Sequence, residues 1–143
     1  MEYSWLIFAL LSAVFAALVA VFGKIGLESI NANAATMIRA GIMFAVLILV
    51  IAFTGEFKQV PAIFSNSKAI FYIFLSGLAG ALSWLFYFIA LKLGKVSQIV
   101  PIDRLSIVFA LILAFLVIGE KIDLKTMLGA AIMTIGAILI ALG

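Results

Sequence analysis

Two long apolar runs joined by a compact basic turn constrain this chain more than any other feature. Residues 90–121 read ALKLGKVSQIVPIDRLSIVFALILAFLVIGEK. This stretch closes one apolar segment at Leu91 and turns through Lys92-Leu93-Gly94-Lys95. It then opens a second segment that stops at Gly119-Glu120-Lys121. Pro101, Asp103 and Arg104 lie near the beginning of the second segment. An acid and a base inside such a run are costly unless they are paired, wetted or functional. Soluble folds seldom join two runs of this kind through so short a turn.

The same pattern recurs along the whole chain and predicts five membrane spans, at about 4–23, 34–53, 69–91, 97–118 and 124–142. A hydrocarbon core of about 30 Å requires roughly 20 residues of helix, and each run meets that length. A β-barrel is excluded, because its strands would alternate over about ten residues, whereas these runs are unbroken. The first span carries no charge, and Glu2 stands where a cleaved signal peptide would have a basic region. Asn33 is the expected cap of the second span, Ser97 of the fourth and Asp123 of the fifth. Residues 54–68 form the longest polar connector and are too few for a soluble domain.

Composition agrees with a membrane protein and removes other classes. The chain is 68% hydrophobic and 10% charged, against about 45–50% and about 25% in a soluble domain. It has no cysteine and no histidine, so neither a disulfide framework nor a Cys/His metal site can form. The net charge of +3 points to lysines and arginines beside the membrane, since no basic block supports nucleic-acid binding. No nucleotide loop, nucleophile elbow or metal cluster is present. The expectation is therefore a protein of the cell membrane that is not an enzyme, with no cofactor, no metal and no catalytic residue. Its partners are the lipid bilayer and a small molecule.

Orientation is less one-sided than usual. With five spans, the connectors on the N-terminal side carry Lys58, Lys68, Lys121 and Lys125. The opposite side carries Lys24, Arg39, Lys92 and Lys95. Lysine and arginine excess sets orientation, and here the two sides balance. Such a chain is a candidate for insertion in both directions.

Taken together, these features resemble one repeat of the drug/metabolite transporter superfamily, EamA family. The resemblance rests on five spans of this length, Arg39 early in the second, and the run ALKLGKVSQIVPI leading into the fourth. Gly119-Glu120-Lys121 before the fifth span, and Gly129 and Gly136 within it, complete it. It implies an all-α membrane protein whose five transmembrane helices form one half of an inverted-repeat transporter fold. Most family members are expected to carry two such repeats, and this sequence carries one. By analogy with inverted-repeat carriers, the solute site would lie near the midplane between two copies, and an antiparallel homodimer suits the balanced charges. The alternative is a non-transporting or heteromeric subunit that needs a second five-span partner.

Several residues are candidates for substrate or proton handling. Arg39 and Asp103 each lie six residues beyond their expected caps, about 9 Å into their helices, so they are able to pair. Asp103 is either a substrate- or proton-handling group or a structural partner of Arg39 or Arg104. Arg104 lies about 100° round the helix from Asp103 and reads as an anchor or counter-ion. Pro101 deletes a hydrogen bond to the Ser97 carbonyl, and is either an early proline tolerated near a helix start or the source of a wet polar notch at Ser97 and Gln98. Trp84, Tyr87 and Phe88 share one helix face. Trp84 and Tyr87 either line a pocket for an aromatic, cationic or amphipathic solute or belong to an interfacial belt with Phe86. Gly77, Gly80, Gly129 and Gly136 are the expected points of close helix packing.

Overall fold

Asn31 sets the start of the second helix through its own side chain. Its backbone is extended (φ −71°, ψ 130°), and its Oδ1 accepts the N–H groups of Asn33 at 2.9 Å and Ala34 at 3.2 Å. This corrects the expected cap at Asn33. A cap must sit just outside the helical dihedrals, and Asn31, not Asn33, holds that conformation.

The computed structural model describes residues 4–143. Among them there are no strands. Five stretches are long and apolar enough to cross a membrane: Ser4–Gly26, Ala32–Thr54, Ser67–Leu93, Val96–Ile118 and Leu124–Leu142. The helices are α1 (Ser4–Gly26), α2 (Ala32–Thr54), α3 (Val60–Ser65), α4 (Ser67–Leu93), α5 (Val96–Asp103), α6 (Ser106–Leu113) and α7 (Leu124–Leu142). The protein is thus an all-α membrane protein. The chain divides into two units, one of residues 25–92 and one of the remaining residues on either side.

The unit of residues 25–92 is built from α2, α3 and α4. Gly55 ends α2 with φ +72° and donates its N–H to the Ile51 carbonyl. That left-handed conformation is the ordinary use of glycine at a helix end. The polar connector is largely helical, with a 3₁₀ turn at Glu56–Gln59 followed by α3. Pro61 starts α3 because its missing N–H costs nothing in a first turn. Asn66 then caps α4, its Oδ1 accepting from the Ala69 N–H at 3.0 Å. With 27 residues, α4 is about 40 Å long and exceeds the hydrocarbon thickness. Its last turns are covered by protein, since Phe88 and Leu91 are buried. Leu27 in the preceding connector is buried as well. The Lys92 ammonium ties that end down by donating to the Ile30 carbonyl.

The other unit holds α1, α5, α6 and α7, with α5 packed along α7. The Lys24 ammonium donates to the Gly94 carbonyl at 2.8 Å, which fixes the turn ahead of α5. Asp123 caps α7 as expected, its Oδ1 accepting from the Thr126 N–H at 2.9 Å. The Thr134 hydroxyl donates to the Ala130 carbonyl at 2.8 Å, so its polar group is satisfied inside an apolar helix.

The fourth span differs most from its sequence reading. It begins one residue early, because Lys95 has the extended cap dihedrals (φ −83°, ψ 144°) and Ser97 is already inside the first turn. Ser97 is therefore not the cap. The span is also not one continuous α-helix. Beyond Pro101 the ladder tightens, with Leu105 N–H donating to Ile102 and Ile107 N–H to Arg104 at 3.0 and 3.1 Å. These three-residue bonds are 3₁₀ in character and separate α5 from α6 at Arg104-Leu105. A π-helical turn at Ala114–Ile118 finishes the span. Gly119 closes it with φ +77°, its N–H and that of Glu120 both donating to the Ala114 carbonyl.

Candidate solute site

An arginine inside an apolar helix needs something to face. Arg39 lies eight residues beyond the Asn31 cap, about 12 Å along α2. Its guanidinium sits over the Trp84 ring of α4, with Cζ 3.5 Å from the ring centroid, and 5.3 Å from that of Phe88. Within residues 25–92 its partners are rings and not carboxylates: among the described residues of this unit it makes no ion pair. A cation on an indole face is stabilised by about 0.5–1 kcal/mol where exposed and about 2 kcal/mol where desolvated, and the half-buried Arg39 lies between these limits.

The ring cluster holds that platform in place. Trp84 meets Tyr87 edge-on, at 5.5 Å between centroids and 87° between planes, and Phe88 at 6.1 Å and 69°. Edge-to-face geometry aligns a positive ring edge with a negative face. Phe88 is buried, Trp84 and Tyr87 are half-buried, and Phe86 points the other way and is exposed. The shared face of Trp84, Tyr87 and Phe88 thus exists as the i, i+3, i+4 spacing required. Phe88 belongs to the cluster, although the sequence reading had not singled it out as a site residue.

Between α2 and α4 runs a groove of about 810 Å³. Arg39 and Trp84 lie in it together, with Asn33 and Thr36 toward the start of α2 and Gly77 and Gly80 on the α4 wall. The Thr36 hydroxyl already donates to the Ala32 carbonyl at 2.8 Å. The glycines clear volume here. A Cβ added at Gly77, Gly80, Gly129 or Gly136 meets no atom within 4 Å. Each of the four thus faces open space, and Gly77 and Gly80 widen the groove. A second groove of about 430 Å³, between α6 and α7, is lined by apolar side chains such as Leu111, Phe115 and Met127 and offers no charged group.

Asp103, Arg104, Ser97 and Gln98 lie in the other unit. Asp103 is the last residue of α5 and half-buried, while Arg104 opens the break and is exposed. Gln98 is half-buried and Ser97 exposed. Asp103 and Arg104 thus flank the point where span four leaves α-helical geometry. Pro101 and the adjacent charges were visible in the sequence, but the break was not. Gly129 and Gly136 lie along α7.

Five helices long and apolar enough to cross a membrane define a multi-pass membrane protein. The comparisons agree. The sequence matches the EamA-like transporter family over residues 3–142. It is 44% identical over 141 residues to a Sinorhizobium protein named "Uncharacterized transporter in cobO 3'region", covering 99% of each chain. No solved structure matches. The chain belongs to the EamA-like transporter family, and it is a membrane transporter of the drug/metabolite type.

Proposed function

We propose that the chain carries small organic solutes as an antiparallel homodimer and exchanges them for protons through Asp103. The observation that carries the solute-binding part is the groove of about 810 Å³ with Arg39 seated on Trp84. Its size falls within the range of about 300–1,000 Å³ usual for small-molecule sites. Its single charge lies among apolar and aromatic groups, which suits a solute that is partly apolar.

Three facts support the dimer. Of the nine lysines and arginines, four fall on each side when Arg104, inside span four, is left out of the count. The Sinorhizobium relative has the length of one five-span repeat. The glycines of α7 face open space, so a partner helix is able to approach them closely. Two copies in opposite orientations would bring ten spans together with their repeats inverted. Asp103 is assigned the proton because it is half-buried at the helix break, where a backbone change alters its surroundings.

Reporters fused to the C-terminus and read on each side of the membrane test the assembly. Both should be active in the native chain, and moving one or two lysines across should fix a single orientation. A signal on one side only, with none opposite, rules out the antiparallel homodimer. Uptake of a solute panel into vesicles holding the purified protein tests transport itself.

A further inference from the structure

From the geometry of the α2–α4 groove we infer that it selects an amphipathic anion: a solute with one negative group, such as a carboxylate, on an apolar or aromatic body. This rests on the reading of the groove as the solute site and names the class of solute it takes. Aromatic clusters in a membrane carrier suggest a cation-binding cage, because ring faces attract positive charge. Here that position is already filled. The Arg39 guanidinium lies 3.5 Å from the Trp84 centroid and 5.3 Å from that of Phe88. A cationic solute entering the groove would meet a fixed like charge and would have to displace it from the ring.

The donors and acceptors point the same way. No aspartate or glutamate lines the groove, so it offers no counter-ion to a cation. Arg39 offers up to five N–H donors and no acceptor, and among the described residues of its unit no carboxylate uses them. Trp84 itself lines the groove. Thr36, whose hydroxyl proton is bound to the Ala32 carbonyl, leaves only lone pairs facing outward and does not compete as an anion donor. A carboxylate matches the planar guanidinium through two parallel hydrogen bonds. Such an ion pair gains strength where the surroundings are apolar. Met43, Phe44 and Leu47 of α2, opposite the gap left by Gly77 and Gly80, supply the apolar wall.

The same chemistry is met by a free organic acid and by the headgroup of an anionic lipid, and the assay separates them. Radiolabelled 3-phenylpropionate and 3-phenylpropylamine, equal in body and opposite in charge, are bound to protein in phosphatidylcholine vesicles at neutral pH. The acid should bind at least tenfold more tightly, about 1.4 kcal/mol. Arg39→Gln should bring the two within about twofold, and Arg39→Lys should keep part of the preference. If Arg39→Gln does not fold, the Arg39→Lys and Trp84→Phe proteins carry the test, each with reduced preference for the acid. Adding phosphatidylglycerol then identifies the source. Displacement of the acid assigns the groove to a lipid headgroup, and no displacement assigns it to a soluble acid. Either result supports the anion site. Tighter binding of the amine, or an acid preference unchanged in every folded Arg39 variant, overturns it. Flux of the amine without acid preference would overturn this inference and leave the carrier reading standing. Acid binding that depends on Arg39 without flux of any solute would do the reverse.

Discussion

Gly119 and Gly41 offer the same substitution with opposite expected signs. Gly119 closes span four at φ +77°, and its N–H and that of Glu120 both bond to the Ala114 carbonyl. Gly41 lies inside α2 with ordinary helical geometry. A Cβ built at either position meets no atom within 4 Å, so steric clash with neighbours contributes nothing to the comparison. What remains is the backbone. An L-residue in the left-handed region costs roughly 1–2 kcal/mol. Replacing glycine by alanine within a helix is worth roughly 0.5–1 kcal/mol in the stabilising direction. Gly119→Ala should therefore destabilise the protein and Gly41→Ala should stabilise it, with the two variants separated by about 1.5–3 kcal/mol. Thermal unfolding in a mild detergent, followed by circular dichroism, measures both. At this chain length the gap is several degrees in Tm. Equal shifts, or a Gly119→Ala protein as stable as the parent, would refute the assignment of the left-handed cap as the feature that needs glycine.

Two further predictions concern acids. Hydrogen bonds from Thr126, from its hydroxyl first and then its N–H, hold the Asp123 carboxyl below the usual carboxylate range. A depressed folded value means that the cap's contribution is complete above the unfolded pKa, about 3.9. It is lost as pH falls through the folded value. Melting curves taken from neutral pH down past pH of about 3 should show an acid-side loss that Asp123→Asn reduces, because asparagine still accepts the N–H but does not titrate. Identical acid-side slopes would remove the cap from that loss. Asp103→Asn should leave the protein folded and able to bind solute while abolishing pH-driven uptake into vesicles; undiminished proton-coupled transport in this variant excludes Asp103 as the coupling group. A fall in stability that a second change, Arg39→Gln, restores would instead assign Asp103 a structural pairing role.

What the sequence determined was whatever depends on local chemistry. Five unbroken apolar runs require helices, since a backbone in lipid must satisfy its own hydrogen bonds. The Asp123 cap of α7 followed from an acceptor placed beside an apolar run, and the common face of Trp84, Tyr87 and Phe88 from helical periodicity alone. Local dihedrals already escaped this reading. Asn31 and Asn33 are alike as residue types, and only the extended backbone at Asn31 makes it the cap. Pro101 and the pair Asp103-Arg104 marked a costly place in span four, but the shift to 3₁₀ bonds at Arg104-Leu105 needed the traced hydrogen bonds. The candidate site lay furthest out of reach. Arg39 and Trp84 are 45 positions apart in the sequence, and no periodicity relates one helix to the other. Only tertiary structure set the guanidinium on the indole and turned Gly77 and Gly80 toward a groove. In doing so it put a positive charge where the aromatic pattern alone allowed a site for a cation.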